Sequence, residues 1–244
     1  VGNILASNIA NVFLALGITA IIVVISPPKN TFQLDIKVLL SSTIIFLILL
    51  FNRSIAYWWV GLILIFCLFL YIFYIIKFSD YNSIEETNKE NFSLAKALMI
   101  FVLGLIGVSL GAKLLTVGSI DLARYFGIRE TVIGLGILAF GTSLPEVATS
   151  IIAAIRKENN IAVGNIVGSN IFNILGIGGV TIVISGNEAL KSFPNLLTIS
   201  DIIPFMLSTI ILVAFYKYRY VLGRVYGVLF VTFYLLWILY IFLN

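Results

Sequence analysis

The stretch AFGTSLPEVATSIIAAIRKENNIAVGNIVGSNIFNILGIGG, from Ala139 to Gly179, decides how the rest of the chain is read. It sets a carboxylate, Glu146, directly after Pro145 inside an apolar run. An ionisable side chain within a membrane span costs about 2.5–3.5 kcal/mol on insertion scales, so its presence there points to function. On a helix, Thr142, Ser143 and Glu146 fall at i, i+1 and i+4, and the carboxylate can converge with both hydroxyls. Past a short loop, Asn165, Ser169 and Asn173 follow at i, i+4 and i+8, which puts three oxygen-bearing side chains on one face of a second helix. Pro145 has no N–H and clashes with the carbonyl four residues back, so the backbone near Gly141 is expected to bend and leave carbonyls free. Broken helices at membrane depth line polar cavities and present backbone oxygens to cations. The chemistry on offer is all oxygen, which suits calcium or sodium better than a transition metal. Ser, Thr and Asn also tie membrane helices together with no ligand involved. That plainer reading competes for any single hydroxyl or amide, and far less for the charge of Glu146.

Composition fixes the class: 61% of residues are hydrophobic and 11% charged, with mean hydropathy +1.12, as in an all-α polytopic membrane protein. Apolar runs lie near 4–26, 36–51, 55–76, 94–118, 131–155, 161–185, 196–216 and 224–243, which predicts eight spans. The run 36–51 is at the short end for a hydrocarbon core of about 30 Å, and the fifth run is interrupted by its polar residues. Cys67 is the single cysteine, so no internal disulfide forms, and it is expected to pack or face lipid. With no histidine in the sequence, His-ligated metals and His proton relays are excluded within it. Eight spans put alternate loops on opposite sides. One side then collects Lys29, Lys37, Lys77, Lys89, Lys96, Arg156, Lys157, Lys217, Arg219 and Arg224, the other Arg53, Arg124, Arg129 and Lys191. The first set marks the cytoplasmic face and leaves both chain ends outside. Lys113, within the fourth span, is expected to snorkel to the outer interface. The net charge of +4 is accordingly a topology signal and not a nucleic-acid patch.

The opening of the chain repeats its centre. Val1–Gly17 reads VGNILASNIANVFLALG and Val163–Gly179 reads VGNIVGSNIFNILGIGG, identical at nine of seventeen positions with an offset of 162. The same offset, with slippage of a few residues, carries the second run onto the seventh and the third onto the eighth. Residues 1–76 are therefore expected to be three spans of a first repeat, 77–93 a polar cytoplasmic linker, and 94–244 a second repeat of five. Partners for the fourth and fifth spans fall roughly 70 residues ahead of Val1, so eight of ten helices are expected in this sequence, arranged as inverted five-helix repeats. In the fourth span Gly104, Gly107, Gly111 and Gly118 make one smooth face, suited either to sliding or to close static packing.

AFGTSLPE at 139–146 followed by GNIVGSNIFNILG at 164–176 resembles the α-repeat signature of the cation/calcium antiporter superfamily, most closely its prokaryotic sodium/calcium exchangers. The resemblance implies a secondary active transporter in the plasma membrane that exchanges calcium for sodium by alternating access. It implies no enzymatic activity, no cofactor, no nucleic acid and no protein partner; calcium, sodium or protons are cargo. It assigns Glu146 as the main calcium ligand, with Ala139 (through its carbonyl), Thr142, Ser143 and Ser169 from the second repeat and Ser7 and Asn11 from the first. Where well-known sodium-coupled members carry Asp, this chain has Asn173, matching Asn11 of the first repeat. The lower charge makes a calcium/proton antiporter the alternative, and a non-transporting membrane subunit or degenerate half-exchanger a second one. An intramembrane hydrolase would need a Ser with a base or paired aspartates, and neither is evident.

Overall fold

The computed structural model describes residues 1–27, 33–78, 93–127, 133, 139–186 and 199–243. Eight helices form among them: α1 (Gly2–Ile22), α2 (Gln33–Phe51), α3 (Trp58–Phe78), α4 (Leu94–Tyr125), α5 (Ala139–Ile155), α6 (Asn159–Ser185), α7 (Ile199–Tyr218) and α8 (Arg224–Leu243). Apart from an antiparallel bridge between Ile25 and Leu222, the described residues form no extended pairing. Seven helices are long and apolar enough to cross a bilayer, α2 among them with 19 residues. The described part of the fifth, α5, is 17 residues; the run before it, 131–138, lies outside the described residues except Ile133. The linker expected at 77–93 lies, for residues 79–92, outside them too.

Burial follows from lipid acting as solvent. An apolar helix loses nothing by facing hydrocarbon, whereas Asn and Ser there would lack partners. Accordingly α3, an unbroken run of Trp, Leu, Ile and Phe, buries only Gly61, Leu64 and Leu68, and Cys67 on it is exposed. The helices carrying the repeated Asn and Ser residues, α1 and α6, are the central ones. In α1 every residue from Ile4 to Gly17 is buried, and its Ile and Leu side chains form one core with Ile166, Ile171, Ile174 and Ile182 of α6.

The repeat of the sequence is a symmetry of the packing. Both central helices loosen into a π-helical segment at matching places, Ala10–Leu16 in α1 and Asn173–Ile177 in α6. Gly17 of α1 packs on Gly227 of α8, and its counterpart Gly179 of α6 packs on Gly61 of α3. In each pair a Cβ on either glycine would press into the backbone opposite, so the absence of a side chain sets the approach. Thr43 of α2 meets Thr209 of α7, Oγ1 to Oγ1, at 3.0 Å. These residues belong to matching Ser-Thr-Ile-Ile segments, 42–45 and 208–211, so between them the offset has grown from 162 to 166. The last helix of each repeat thus packs on the central helix of the other, α3 on α6 and α8 on α1. One detail departs from expectation: α5 runs unbroken as α-helix through Pro145. Gly141 instead admits Thr116 of α4 at contact distance, and the irregular backbone lies in the π segments of α1 and α6. The glycine face of α4 at Gly104, Gly107, Gly111 and Gly118 has no neighbour within 4 Å among the described residues.

Candidate cation site

Three helices meet where the polar residues of the repeats lie: α1, α5 and α6. Their order in the chain is set by the antiparallel hairpin α5–α6. Arg156 to Glu158 turn it, with Lys157 at φ 64°. In the hairpin, Asn165 donates through Nδ2 to the backbone O of Glu146 at 3.2 Å and to Ser150 Oγ at 3.0 Å. One turn further along α6, Ser169 Oγ donates to Glu146 Oε1 at 2.8 Å. The second carboxylate oxygen, Glu146 Oε2, is buried with no hydrogen-bond donor, and so is the oxygen of Ser143, a residue only 1% exposed. Within α5, Ser143 Oγ and Glu146 Oε2 are thus both buried acceptors without a donor. Thr142 is exposed, and its Oγ1 lies 3.1 Å from Ser7 Oγ on α1, which links α5 to the other repeat. Ala139 opens α5.

The two repeats join through four asparagines. Asn11 Nδ2 donates to Asn170 Oδ1 at 2.9 Å, and Asn173 Nδ2 donates to Asn8 Oδ1 at 3.0 Å. As α1 advances from 8 to 11, its partners run back from 173 to 170, so the helices cross antiparallel. The offset of 162 exchanges one bond for the other, which places the pseudo-two-fold axis between them. Asn11 is fully buried, and with its nitrogen engaged, its Oδ1 is left without a donor. A buried amide or hydroxyl oxygen without a partner costs about 1–3 kcal/mol. Among the buried acceptors left without a donor are Glu146 Oε2, Ser143 Oγ and Asn11 Oδ1, hard oxygens of the kind a hard cation takes. Among the described residues no group of three or more His, Cys, Asp or Glu side chains gathers.

Of the predicted residues, Glu146 and Ser169 are in direct contact, Ser7 and Thr142 are paired, and Asn11 and Asn173 are each tied across the axis. Sequence reasoning missed Asn8 and Asn170, although both stand among the nine repeat identities. It also passed over Asp201, in the first turn of α7, which is 4% exposed. Its counterpart at the later offset of 166 is Asp35, in the first turn of α2, which accepts a hydrogen bond from Tyr71 of α3.

Residues 1–77 and 96–243 match a protein family described as sodium/calcium exchanger protein. The chain is 31% identical over 240 residues to the uncharacterized membrane protein MJ0091 of Methanocaldococcus jannaschii, over 97% of this chain and 74% of that one. It is 29% identical over 254 residues to the sodium/calcium exchanger MaX1 of Methanosarcina acetivorans, over 86% and 73% of the two. With the putative antiporter CaxA of Alkalimonas amylolytica it shares 32% identity over 193 residues, covering 76% of this chain and 60% of the relative. The structure of the sodium-calcium exchanger NCX_Mj soaked with 2.5 mM Na+ and 1 mM Sr2+ superposes with a TM-score of 0.69 at 32% identity, over 96% of this chain and 74% of that one. The same exchanger soaked with zero Na+ and Ca2+ gives 0.70 at 31%.

Proposed function

The chain belongs to the sodium/calcium exchanger protein family, and from that premise we propose that it exchanges calcium for sodium across the membrane by alternating access, with Glu146 as the principal calcium ligand. The observation that carries this reading is the state of the Glu146 carboxylate: Oε1 takes the Ser169 hydroxyl while Oε2 is buried with no donor. A carboxylate desolvated on one oxygen favours a cation beside it. Ser143 and Asn11 add neutral oxygens, and Ser7, Thr142, Ser169, Asn173 and the Ala139 carbonyl complete the set. Since Ser7 and Asn11 come from one repeat and Glu146 from the other, movement of one repeat against the other opens the site to either side in turn. The arginine and lysine bias puts the 156–160 and 217–224 turns in the cytoplasm.

Sodium against proton coupling turns on Asn173. Its neutral amide lends an oxygen but no charge, and this favours the proton alternative as the second reading. The deciding experiment is calcium-45 flux in proteoliposomes under a sodium gradient and, separately, under a pH gradient. Uptake driven by sodium and indifferent to pH supports the first reading. Uptake driven by pH alone replaces it with the second, and no gradient-driven uptake supports a non-transporting protein.

A further inference from the structure

Below the Thr43–Thr209 contact, where α2 and α7 part, a cavity of about 390 Å³ opens between the start of α2 and the end of α7. Gln33, Ile36 and Lys37 line it from α2; Val213, Tyr216 and Lys217 from α7, with Arg219 just beyond. Its chemistry is divided. Ile36 and Val213 give an apolar floor, while Lys37 and Lys217, both exposed, and Arg219 bring three cations to the rim. Such a division matches a molecule with an anionic head and an apolar tail, at the depth where helices leave the hydrocarbon. Among the described residues, no acidic side chain lines the cavity beside Lys37 and Lys217.

The pseudo-two-fold axis supplies a control. At the offset of 166, Gln33, Lys37 and Lys217 correspond to Ile199, Ile203 and Phe51, and only Arg219 meets a like residue, Arg53. The matching positions at the opposite ends of α2 and α7 are thus apolar where these are polar and cationic. The scaffold does not need the lysines, since the same helix pair is made at its other end without them. We propose that this cavity binds the phosphate headgroup of an anionic phospholipid, with Lys37 and Lys217 on the phosphate and an acyl chain along Ile36 and Val213. The leaflet is the one that the lysine and arginine bias makes cytoplasmic. The site lies apart from Glu146 and does not depend on which ion drives exchange.

The test is lipid retention by the purified protein in nanodiscs of phosphatidylcholine doped with phosphatidylglycerol, read by native mass spectrometry. Lys37→Gln with Lys217→Gln should lower phosphatidylglycerol retention by about thirtyfold, two headgroup contacts being removed. Lys77→Gln with Arg156→Gln removes the same charge from the same predicted face outside the cavity and should leave retention within twofold. Equal retention in the first pair, or an equal fall in the second, would overturn the proposal, the latter by reducing it to a general surface potential. Displacement of the lipid by millimolar inorganic phosphate would also overturn it, by assigning the cavity to a free anion. Both variants are surface substitutions, and unchanged elution on gel filtration establishes that they fold.

Discussion

Asn173 holds its place by a bond that an acid could not make in the same way. Its Nδ2 donates to Asn8 Oδ1, so Asn173→Asp would set two acceptors face to face unless Asn8 turns its amide to donate instead. If Asn8 turns, the new carboxylate is held and faces the cation site. At 4 Å and an effective dielectric near 20, a unit charge pair is worth about 4 kcal/mol before desolvation offsets part of it. Asn173→Asp should therefore steepen the sodium dependence of calcium flux, or make flux sensitive to pH if the acid protonates; an unchanged dependence on both would contradict the role given to Asn173. Asn8→Ala strands the Asn173 amide and should cost about 1–3 kcal/mol of stability, read as a lower melting temperature in detergent. At this scale the sequence was informative about chemistry and silent about partners. Glu146 and Ser169 stood out because polar atoms are costly in an apolar run. Which amide reaches across to which depends on the crossing of α1 and α6, and no spacing within one helix contains that. Asp201 escaped notice because a carboxylate in the first turn of a helix reads as interfacial, yet packing buries it.

Helices were legible for the reason that lipid permits little else: every backbone group must be satisfied within its own segment, so long apolar runs become helices. The runs at 36–51, 55–76 and 224–243 correspond to α2, α3 and α8 within a few residues. What the sequence could not disclose was irregularity. Pro145 predicted a break in α5, but the described helix runs α-helical from Ala139 through Pro145 to Ile155; the proline removes the backbone bond to Gly141 without ending the helix. The π segments lie instead in α1 and α6, each starting at or beside an asparagine of the crossing, Asn11 and Asn173, with no proline in either. Glycine carried an element-scale meaning too: Gly61 against Gly179 and Gly17 against Gly227 set how closely α3 and α8 approach the central pair. Gly61→Ala and Gly227→Ala should each destabilise by about 1–3 kcal/mol, as overpacking does. The two should act alike because the repeats make them equivalent. Melting temperatures that fall for one and not the other would count against that equivalence.

At the scale of the molecule, α1, α2 and α3 interlock with their counterparts α6, α7 and α8, and the offset that revealed them in the sequence reappears as the exchange of the two asparagine bonds across the axis. Inversion was legible because three spans recur with a five-span second half. The growth of the offset to 166 was legible only as a slippage of a few residues; the Thr43–Thr209 contact draws attention to the matching Ser-Thr-Ile-Ile segments that fix it. An inverted pair with its polar residues at the crossing is an arrangement for presenting one site to two sides. The account stands on that site being the Glu146 carboxylate. Its most direct test is sodium-gradient-driven calcium-45 uptake into proteoliposomes of the unaltered protein and of Glu146→Gln, which keeps the size of the side chain and one acceptor oxygen for Ser169 while removing its charge. The account predicts accumulation by the unaltered protein and at least a hundredfold loss in the variant at equal insertion, the unit-charge term being about 4 kcal/mol. Uptake by Glu146→Gln at the unaltered rate would contradict it.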